Sequence, residues 1–144
     1  MEEAKKMVAK LELVSLKEMG DDRGWLVVFE KGLNIPFDVK RCFFIYGTKE
    51  GLARGFHAHK KSKQMLVSVS GSVEIHCEAN GKKEVYLLDA PNKGLFLEGM
   101  VWHTMENFSS DCVLMVLADD YYNEDDYIRN YDEFCALTNK ENAK

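Results

Sequence analysis

The chain has 144 residues, enough for one domain with a substantial core and too few for two ordinary domains. Hydrophobic residues make up 46% of it and aromatic residues 11%, which is typical of ordered globular proteins rather than disordered ones. The formal net charge of −5, without a long Lys/Arg stripe, argues against nucleic-acid binding. We therefore expect a single domain over residues 1–144.

Two features of the sequence argue against a membrane or secreted protein. The N-terminus is charged and lacks the apolar region of a signal peptide. No apolar run approaches the roughly 20 residues that are needed to cross a bilayer. We expect a cytoplasmic protein with no membrane partner.

From Leu11 to Leu117 the sequence predicts short strands separated by turns rich in Gly, Asn and Asp. Val, Ile, Phe and Tyr follow the two-residue period of strands. Asn80-Gly81 is a strong hairpin turn, and Ser70-Gly71 is another. The predicted strands are 11–16, 25–30, 38–46, 52–57, 65–70, 72–79, 83–88, 94–97, 101–106 and 111–118. Regular spacing of this kind indicates an all-β sandwich or barrel.

The composition changes after Ala118, where acidic residues and tyrosines dominate residues 119–127. Such a segment cannot continue a buried strand, so we predict a loop whose tyrosines pack on the barrel. Residues 129–138 place Tyr131, Phe134 and Cys135 at helical spacing, which predicts a short C-terminal helix.

The segment Arg54–His59 contains a His-x-His pair, and an extended backbone places its two imidazoles side by side on one face. Gln64 follows, and a second block that includes His103 supplies a further histidine. This is the two-motif layout of cupin barrels. Metal-dependent cupins have a glutamate where Gln64 stands, and an amide adds no negative charge, so we predict no metal. His57 and His59 are then free as acid and base, since an unperturbed pKa of about 6.5 suits proton transfer at neutral pH. Alternatively, both histidines are structural and bonded to the backbone.

Two arginines are candidates for binding an anion. Arg54 precedes the histidine pair near the expected barrel mouth, and Arg41 lies on an earlier strand. A guanidinium in such a place can clamp a phosphate or carboxylate, although pairing with a protein carboxylate is the commoner fate of an arginine. The strand that begins at Arg41 presents two faces, one of which should line the cavity. These faces are Cys42, Phe44 and Tyr46 on one side and Arg41, Phe43 and Ile45 on the other.

Four segments resemble the sugar 3,4-ketoisomerases that act on dTDP-4-keto-6-deoxyglucose. They are 34–41 (NIPFDVKR), 54–61 (RGFHAHKK), 101–103 (VWH) and 120–132 (DYYNEDDYIRNYD), within a resemblance that runs from about residue 11 to 135. A long ordered match is far more specific than the cupin motifs alone. The resemblance implies a cupin jelly-roll barrel, a homodimer, and no metal or other cofactor.

The resemblance also implies a reaction. The ketone of a nucleotide-linked 4-keto-6-deoxy sugar would move from C4 to C3, upstream of a 3-aminotransferase, in the biosynthesis of a 3-amino-3,6-dideoxyhexose for lipopolysaccharide or another glycan. The family's catalytic histidines fall on His57 and His59, and its nucleotide-diphosphate contacts include Arg41 and Arg54. The family commonly has a tyrosine pair where this chain has Phe43-Phe44, which leaves Tyr46 as the candidate substitute. The predicted substrate-binding residues are Arg23, Arg41, Tyr46, Arg54, Gln64 and His103.

The family has two branches that differ near the positions of Arg23 and His103, and these two residues resemble the galacto-forming branch. No redox cofactor is needed, because the C4 carbonyl acidifies the C3 hydrogen and a base can remove it to form an enediol. We predict that dTDP-4-keto-6-deoxy-D-glucose becomes dTDP-3-keto-6-deoxy-D-galactose, with His57 as the C3 base and His59 as the proton shuttle.

Three other functions compete with this interpretation. A nucleotide-sugar epimerase would use a similar base but needs an opposing tyrosine acid. A metal-dependent cupin such as a dioxygenase would need a stronger ligand than Gln64. A non-catalytic sugar-binding module would bind the same ligand without turnover.

Overall fold

The structure is a computed structural model that describes residues 9–142, with side chains through residue 138. Within these residues it has twelve strands, one short 3₁₀ helix at Glu124–Asp126 and one α-helix. The strands are β1 Lys10–Ser15, β2 Glu18–Asp21, β3 Gly24–Val27, β4 Arg41–Ile45, β5 Arg54–His59, β6 Lys63–Ser70, β7 Val73–Ala79, β8 Lys82–Leu88, β9 Lys93–Glu98, β10 Trp102–Glu106, β11 Val113–Ala118 and β12 Tyr127–Ile128. The helix α1 is Tyr131–Asn142.

Ten of these strands form two five-stranded antiparallel sheets. The first sheet has the order β1-β9-β6-β11-β4 and the second β12-β5-β10-β7-β8. Strands β4 to β7 and β8 to β11 alternate between the two sheets, which is the connectivity of a jelly roll. The predicted all-β jelly roll with a short C-terminal helix is confirmed. The sheets do not close into one hydrogen-bonded barrel.

The main core lies between the two sheets. The first sheet contributes Leu66, Leu95 and Leu114, and the second contributes Ile75 and Met105. All five are nearly or fully buried. Burial of such a side chain is worth roughly 1.5–3 kcal/mol, so this apolar layer holds the sheets together.

The outer faces of both sheets are also partly covered. Ile35 and Phe37 lie in a cluster with Met65 and Val67 on the first sheet, which explains why β6 is buried on both faces. On the second sheet, Phe134 of α1 packs in a cluster with Ala58, Met100 and Ile128.

The hairpin at Asn80-Gly81 is confirmed, because Ala79 pairs with Lys82 and both turn residues have positive φ, +53° and +78°. The predicted strand 25–30 is shorter, ending at Val27, and it pairs with β2, which has no alternating pattern to predict it. The predicted loop 119–127 contains the 3₁₀ turn and leads into β12, which pairs with β5.

No helix within residues 9–142 is long and apolar enough to cross a membrane.

Candidate active site

A β-bulge in β5 shapes the site. In the pairing of β5 with β10, His57 lies opposite His103 and Gly55 opposite Thr104, so Phe56 is the extra residue. Gly55 and Phe56 both have positive φ, +97° and +61°. Strand alternation would turn Arg54 and His57 to opposite faces, but the bulge allows both to line one pocket.

Three imidazoles meet in this pocket. The ring centroids of His57 lie 5.0 Å from His59 and 4.8 Å from His103. The Nδ1 atom of His57 lies 3.2 Å from the carbonyl oxygen of Gly55, and that of His103 lies 3.3 Å from the carbonyl oxygen of Val101. A carbonyl can only accept, so each Nδ1 carries the proton and each Nε2 is left without one.

His59 has a different partner. Its Nδ1 atom lies 3.0 Å from Oδ2 of Asp126, and both side chains are largely buried. Asp126 also accepts hydrogen bonds from the Ser62 hydroxyl at 2.6 Å and the Lys61 backbone N–H at 2.9 Å. Burial raises the pKa of Asp126, but these hydrogen bonds outweigh it and hold the pKa below the usual range. The carboxylate therefore accepts from His59 Nδ1–H, and His59 also presents a bare Nε2.

Burial keeps the three rings neutral near pH 7. It lowers the pKa of His57 to about 4, with a further contribution from the neighbouring His59. It lowers the pKa of His103 to about 3, helped by His57 and His59. Burial also lowers the pKa of His59, and the hydrogen bond that His59 donates to Asp126 acts in the opposite direction. The pocket therefore contains three proton acceptors at neutral pH.

The pocket is a partly enclosed cavity of about 240 Å³. Phe43, Ile45 and Leu66 line its apolar side. Its other lining residues are Arg54, Gly55, His57, His59, Gln64, His103, Met105, Val116, Tyr127 and Arg129. Four of the predicted site residues, His59, His103, Arg54 and Gln64, thus surround His57.

Arg41 lies beside this pocket. Its guanidinium lies 5.4 Å from the Phe43 ring and 5.7 Å from the Tyr122 ring. Its Nε is buried and has no hydrogen-bond partner among the described residues. A buried donor without a partner is costly.

The structure does not bring Arg23 or Tyr46 to the pocket of the same chain. Arg23 lies in the β2–β3 hairpin, where it pairs with Asp21 and its side chain is 90% exposed. Tyr46 follows β4 and is 73% exposed, on the side of that strand away from Phe43. His76, the remaining histidine, bonds Glu74 at 2.9 Å on the other side of the second sheet.

Three site residues were not predicted, namely Asp126, Tyr127 and Arg129. The Tyr127 ring lies 5.0 Å from His57 and 4.5 Å from His59. Arg129 stacks over Tyr127 at 4.3 Å and pairs with Glu124. All three come from segment 120–132. The resemblance of this segment to the family is the sequence feature that could have indicated them.

The three histidines are also a group whose donor atoms, all within 4.8 Å of one another, could hold a metal ion. The pocket offers a divalent cation no negative charge, because none of the described carboxylates lines it and Gln64 supplies a neutral amide. The residues therefore fit a divalent cation poorly.

Comparison with known proteins shows the family of this chain. The family model FdtA, described as WxcM-like, C-terminal, matches residues 9–139. The chain belongs to this family. A TDP-4-oxo-6-deoxy-alpha-D-glucose-3,4-oxoisomerase from Aneurinibacillus thermoaerophilus is 48% identical over 133 residues, which cover 92% of this chain and 96% of the relative.

Solved structures of family members are similar as well. A histidine-to-asparagine variant of the 3,4-ketoisomerase QdtA from Thermoanaerobacterium thermosaccharolyticum, in complex with TDP-4-keto-6-deoxyglucose, is 38% identical with a TM-score of 0.87. The alignment covers 90% of this chain and 94% of QdtA. A 3,4-ketoisomerase from Helicobacter canadensis is 41% identical with a TM-score of 0.86, over 90% of this chain and 97% of that one. The family resemblance and the isomerase class are thereby confirmed.

Proposed function

We propose that this protein converts dTDP-4-keto-6-deoxy-D-glucose to dTDP-3-keto-6-deoxy-D-galactose without a metal or other cofactor, in the cytoplasm, as a step toward a 3-amino-3,6-dideoxyhexose. The observation that carries the proposal is the convergence of three neutral imidazoles, each with a bare Nε2, in one partly enclosed pocket. A keto shift between neighbouring carbons needs proton acceptors and no electron acceptor.

The proposed chemistry uses two of the three histidines. His57 removes the hydrogen at C3 as a proton, the electron pair forms a double bond between C3 and C4, and O4 becomes an oxyanion. His59 accepts the O3–H proton at Nε2 and delivers it to O4. The electrons on O3 then form the new carbonyl, and C4 takes up the proton that His57 holds. Atoms and charge balance, and both histidines return to their neutral state.

The stereochemistry follows from the use of one base. The C3 hydrogen of the gluco substrate and the C4 hydrogen of a galacto product lie on the same face of the ring. His57 alone can therefore remove one and deliver the other. A gluco product would require proton delivery from the opposite face.

The remaining polar residues suit the substrate's other groups. Arg54 lines the pocket and Arg41 lies beside it with a buried, unpartnered Nε, so we assign both to the nucleotide diphosphate. Gln64 and His103 line the pocket floor and are buried, which suits contacts to the sugar oxygens. Tyr46 and Tyr127 are the two candidates for a hydroxyl contact, and only Tyr127 faces the pocket of its own chain.

We also propose a homodimer, because the β2–β3 hairpin presents an unusual amount of apolar surface. Trp25 and Leu26 are 68% and 56% exposed, and within residues 9–142 β2 and β3 pair with each other and with no other strand. Strand β4 forms an edge of the first sheet next to the pocket, with no further strand beside it in the described part of the chain. A partner's hairpin on this edge would cover both surfaces and bring the partner's Arg23 toward the site.

The test is proton NMR of the purified protein with dTDP-4-keto-6-deoxyglucose in heavy water, following the C3, C4 and C5 signals. We expect a 3-keto product with the small H4 coupling of an equatorial hydrogen where H4 is retained. The His57→Asn variant should abolish conversion, while the matched His76→Asn variant should not, because His76 bonds Glu74 outside the pocket.

Each competing function gives a different result in this experiment. Exchange at C5 would indicate an epimerase, and a large H4 coupling would indicate a gluco product. An unchanged spectrum with ligand-induced stabilisation would indicate a sugar-binding module. Metal analysis of protein purified without chelator would identify a metal-dependent cupin.

A further inference from the structure

Among the three pocket histidines, only His59 has an anionic partner. His57 and His103 bond the backbone carbonyls of Gly55 and Val101 through Nδ1. His59 bonds the carboxylate of Asp126 at 3.0 Å. When an imidazole gains a second proton, a carboxylate stabilises the resulting charge more than a carbonyl does.

The backbone fixes Asp126 in this place. The Lys60 N–H donates to the carbonyl oxygen of Asp126 at 2.8 Å, and the next residue, Tyr127, pairs with His59 between β12 and β5. The Ser62 hydroxyl and the Lys61 N–H occupy other positions around the carboxylate. Three hydrogen bonds thus hold Asp126 independently of the His59 ring, and a carboxylate held in this way can orient the ring that donates to it.

The charged and titratable groups around His59 come from several elements. The guanidiniums of Arg41 and Arg129 disfavour a proton on the ring, and Asp126 favours it through its hydrogen bond and its negative charge. The groups that face His59 are Arg41 from β4, His57 from β5, His103 from β10, Tyr127 from β12, and Asp126 and Arg129 from the segment around β12.

We propose that Asp126 is a positioning residue, which fixes His59 with its proton on Nδ1 and its bare Nε2 toward the substrate and holds the ring there while it carries the O3 proton to O4. The catalytic part of this inference rests on the proposed function. The tautomer of the ring does not, and it can be measured without any substrate.

The loss of Asp126 would affect His59 in two ways. An asparagine of the same size can offer its NH₂ group to Nδ1, which would move the ring proton to Nε2 and block the acceptor. It also removes the charge that supports the transient imidazolium. In the Ser-His-Asp enzymes the corresponding asparagine change costs about 10⁴-fold in turnover through the wrong tautomer.

The first measurement is a long-range ¹H–¹⁵N spectrum of the imidazole nitrogens in the substrate-free protein at pH 7.5. We expect protonated Nδ1 and bare Nε2 for His57, His59 and His103. In the Asp126→Asn variant the signals of His59 should change, while those of His57 and His103 keep their pattern. A wild-type His59 with its proton on Nε2 would overturn the proposal, and this result requires no variant to fold.

The second measurement is turnover of dTDP-4-keto-6-deoxyglucose. Asp126→Asn should lower kcat by about 10²–10⁴-fold with KM changed less than about threefold, because the residue acts through His59 and not on substrate binding. The matched control is Asp125→Asn, whose side chain is exposed in the same 3₁₀ turn, and it should retain wild-type kcat.

A wild-type kcat in Asp126→Asn would overturn the proposal. Asp126→Asn and Asp126→Glu could instead lose kcat to the same extent as each other and thermal stability to the same extent, with the His59 spectrum unchanged. That result would assign Asp126 a structural role only. If the wild-type protein does not convert the sugar while the spectrum shows the expected tautomers, the proposed function fails and the positioning of His59 by Asp126 stands.

Discussion

Gly55 provides a test of how the bulge in β5 builds the pocket. Alanine at this position would place its Cβ 2.9 Å from the carbonyl oxygen of His103 and 3.2 Å from Cα of Thr104. The backbone also has φ of +97°, in the left-handed region that alanine avoids at a cost of roughly 1–2 kcal/mol. The contact with the β10 backbone adds about 1–3 kcal/mol, because neither strand can move freely in a packed sheet.

Gly81→Ala is the matched control. Its φ is +78°, but an added Cβ has no heavy atom within 4 Å, so it incurs the backbone cost alone. We therefore expect Gly55→Ala to lower the free energy of unfolding in urea by about 1–3 kcal/mol more than Gly81→Ala does. The folded Gly55 variant should also lose at least about tenfold in kcat, because Gly55 accepts the His57 hydrogen bond.

Equal destabilisation by the two substitutions would refute the reasoning, since it would mean that β5 and β10 separate without cost. A destabilised Gly55→Ala variant with wild-type kcat would show that the bulge supports the fold but does not set the position of His57.

Three further predictions concern the pH dependence of stability, the Tyr127 hydroxyl and the requirement for a metal. Because burial lowers the pKa of His57 to about 4 and that of His103 to about 3, the unfolded chain, with histidine pKa of about 6.5, binds more protons between these values. The free energy of unfolding should keep its full value above about pH 6.5 and fall as the pH drops toward 4. Urea titrations at pH 7.5 and 5.0 check this. In the His57→Asn variant the free energy of unfolding should differ less between the two pH values than in the wild type. Tyr127→Phe should lower kcat at least about tenfold, because Tyr127 lines the pocket. Tyr46→Phe should leave kcat unchanged, because Tyr46 lies on the outer side of β4. Steady-state kinetics of the two variants measures the difference. Dialysis against a chelator should leave turnover unchanged, and loss of activity restored by one divalent metal would contradict the cofactor-free chemistry.

Much of the fold could be predicted from local sequence patterns. Strands β4 and β7 alternate between more and less buried residues, β6 and β9 are largely buried, and either pattern is visible in the residue types. The Asn80-Gly81 turn is equally local, because only a few residue types adopt positive φ at two successive positions. Strand β2 could not be predicted, since it is exposed along its whole length and, among the strands that the structure describes, pairs with β3 alone.

The site was less predictable, because its geometry depends on departures from regular strands. Alternation along β5 groups His57 with His59 but would turn Arg54 away from them. The bulge at Phe56 reverses this, and a phenylalanine at positive φ leaves no sequence pattern by which it could be found. Which face of β4 lines the pocket was also open from sequence. Phe43 and Ile45 face it, because they lie on the side of the first sheet that packs on the second.

The acidic segment after Ala118 shows why composition alone can misplace a functional residue. A run of aspartates and tyrosines indicates a solvated loop, and most of residues 119–127 are indeed exposed or half-buried. Asp126 is different because β12 adds to the edge of β5, a pairing between residues almost 70 positions apart that local pattern cannot predict. The same pairing covers the open edge of β5, places Tyr127 against two histidines and brings Arg129 to the pocket. Edge protection and construction of the site are therefore one structural event, since the carboxylate that orients His59 belongs to the residue immediately before the strand that completes the sheet.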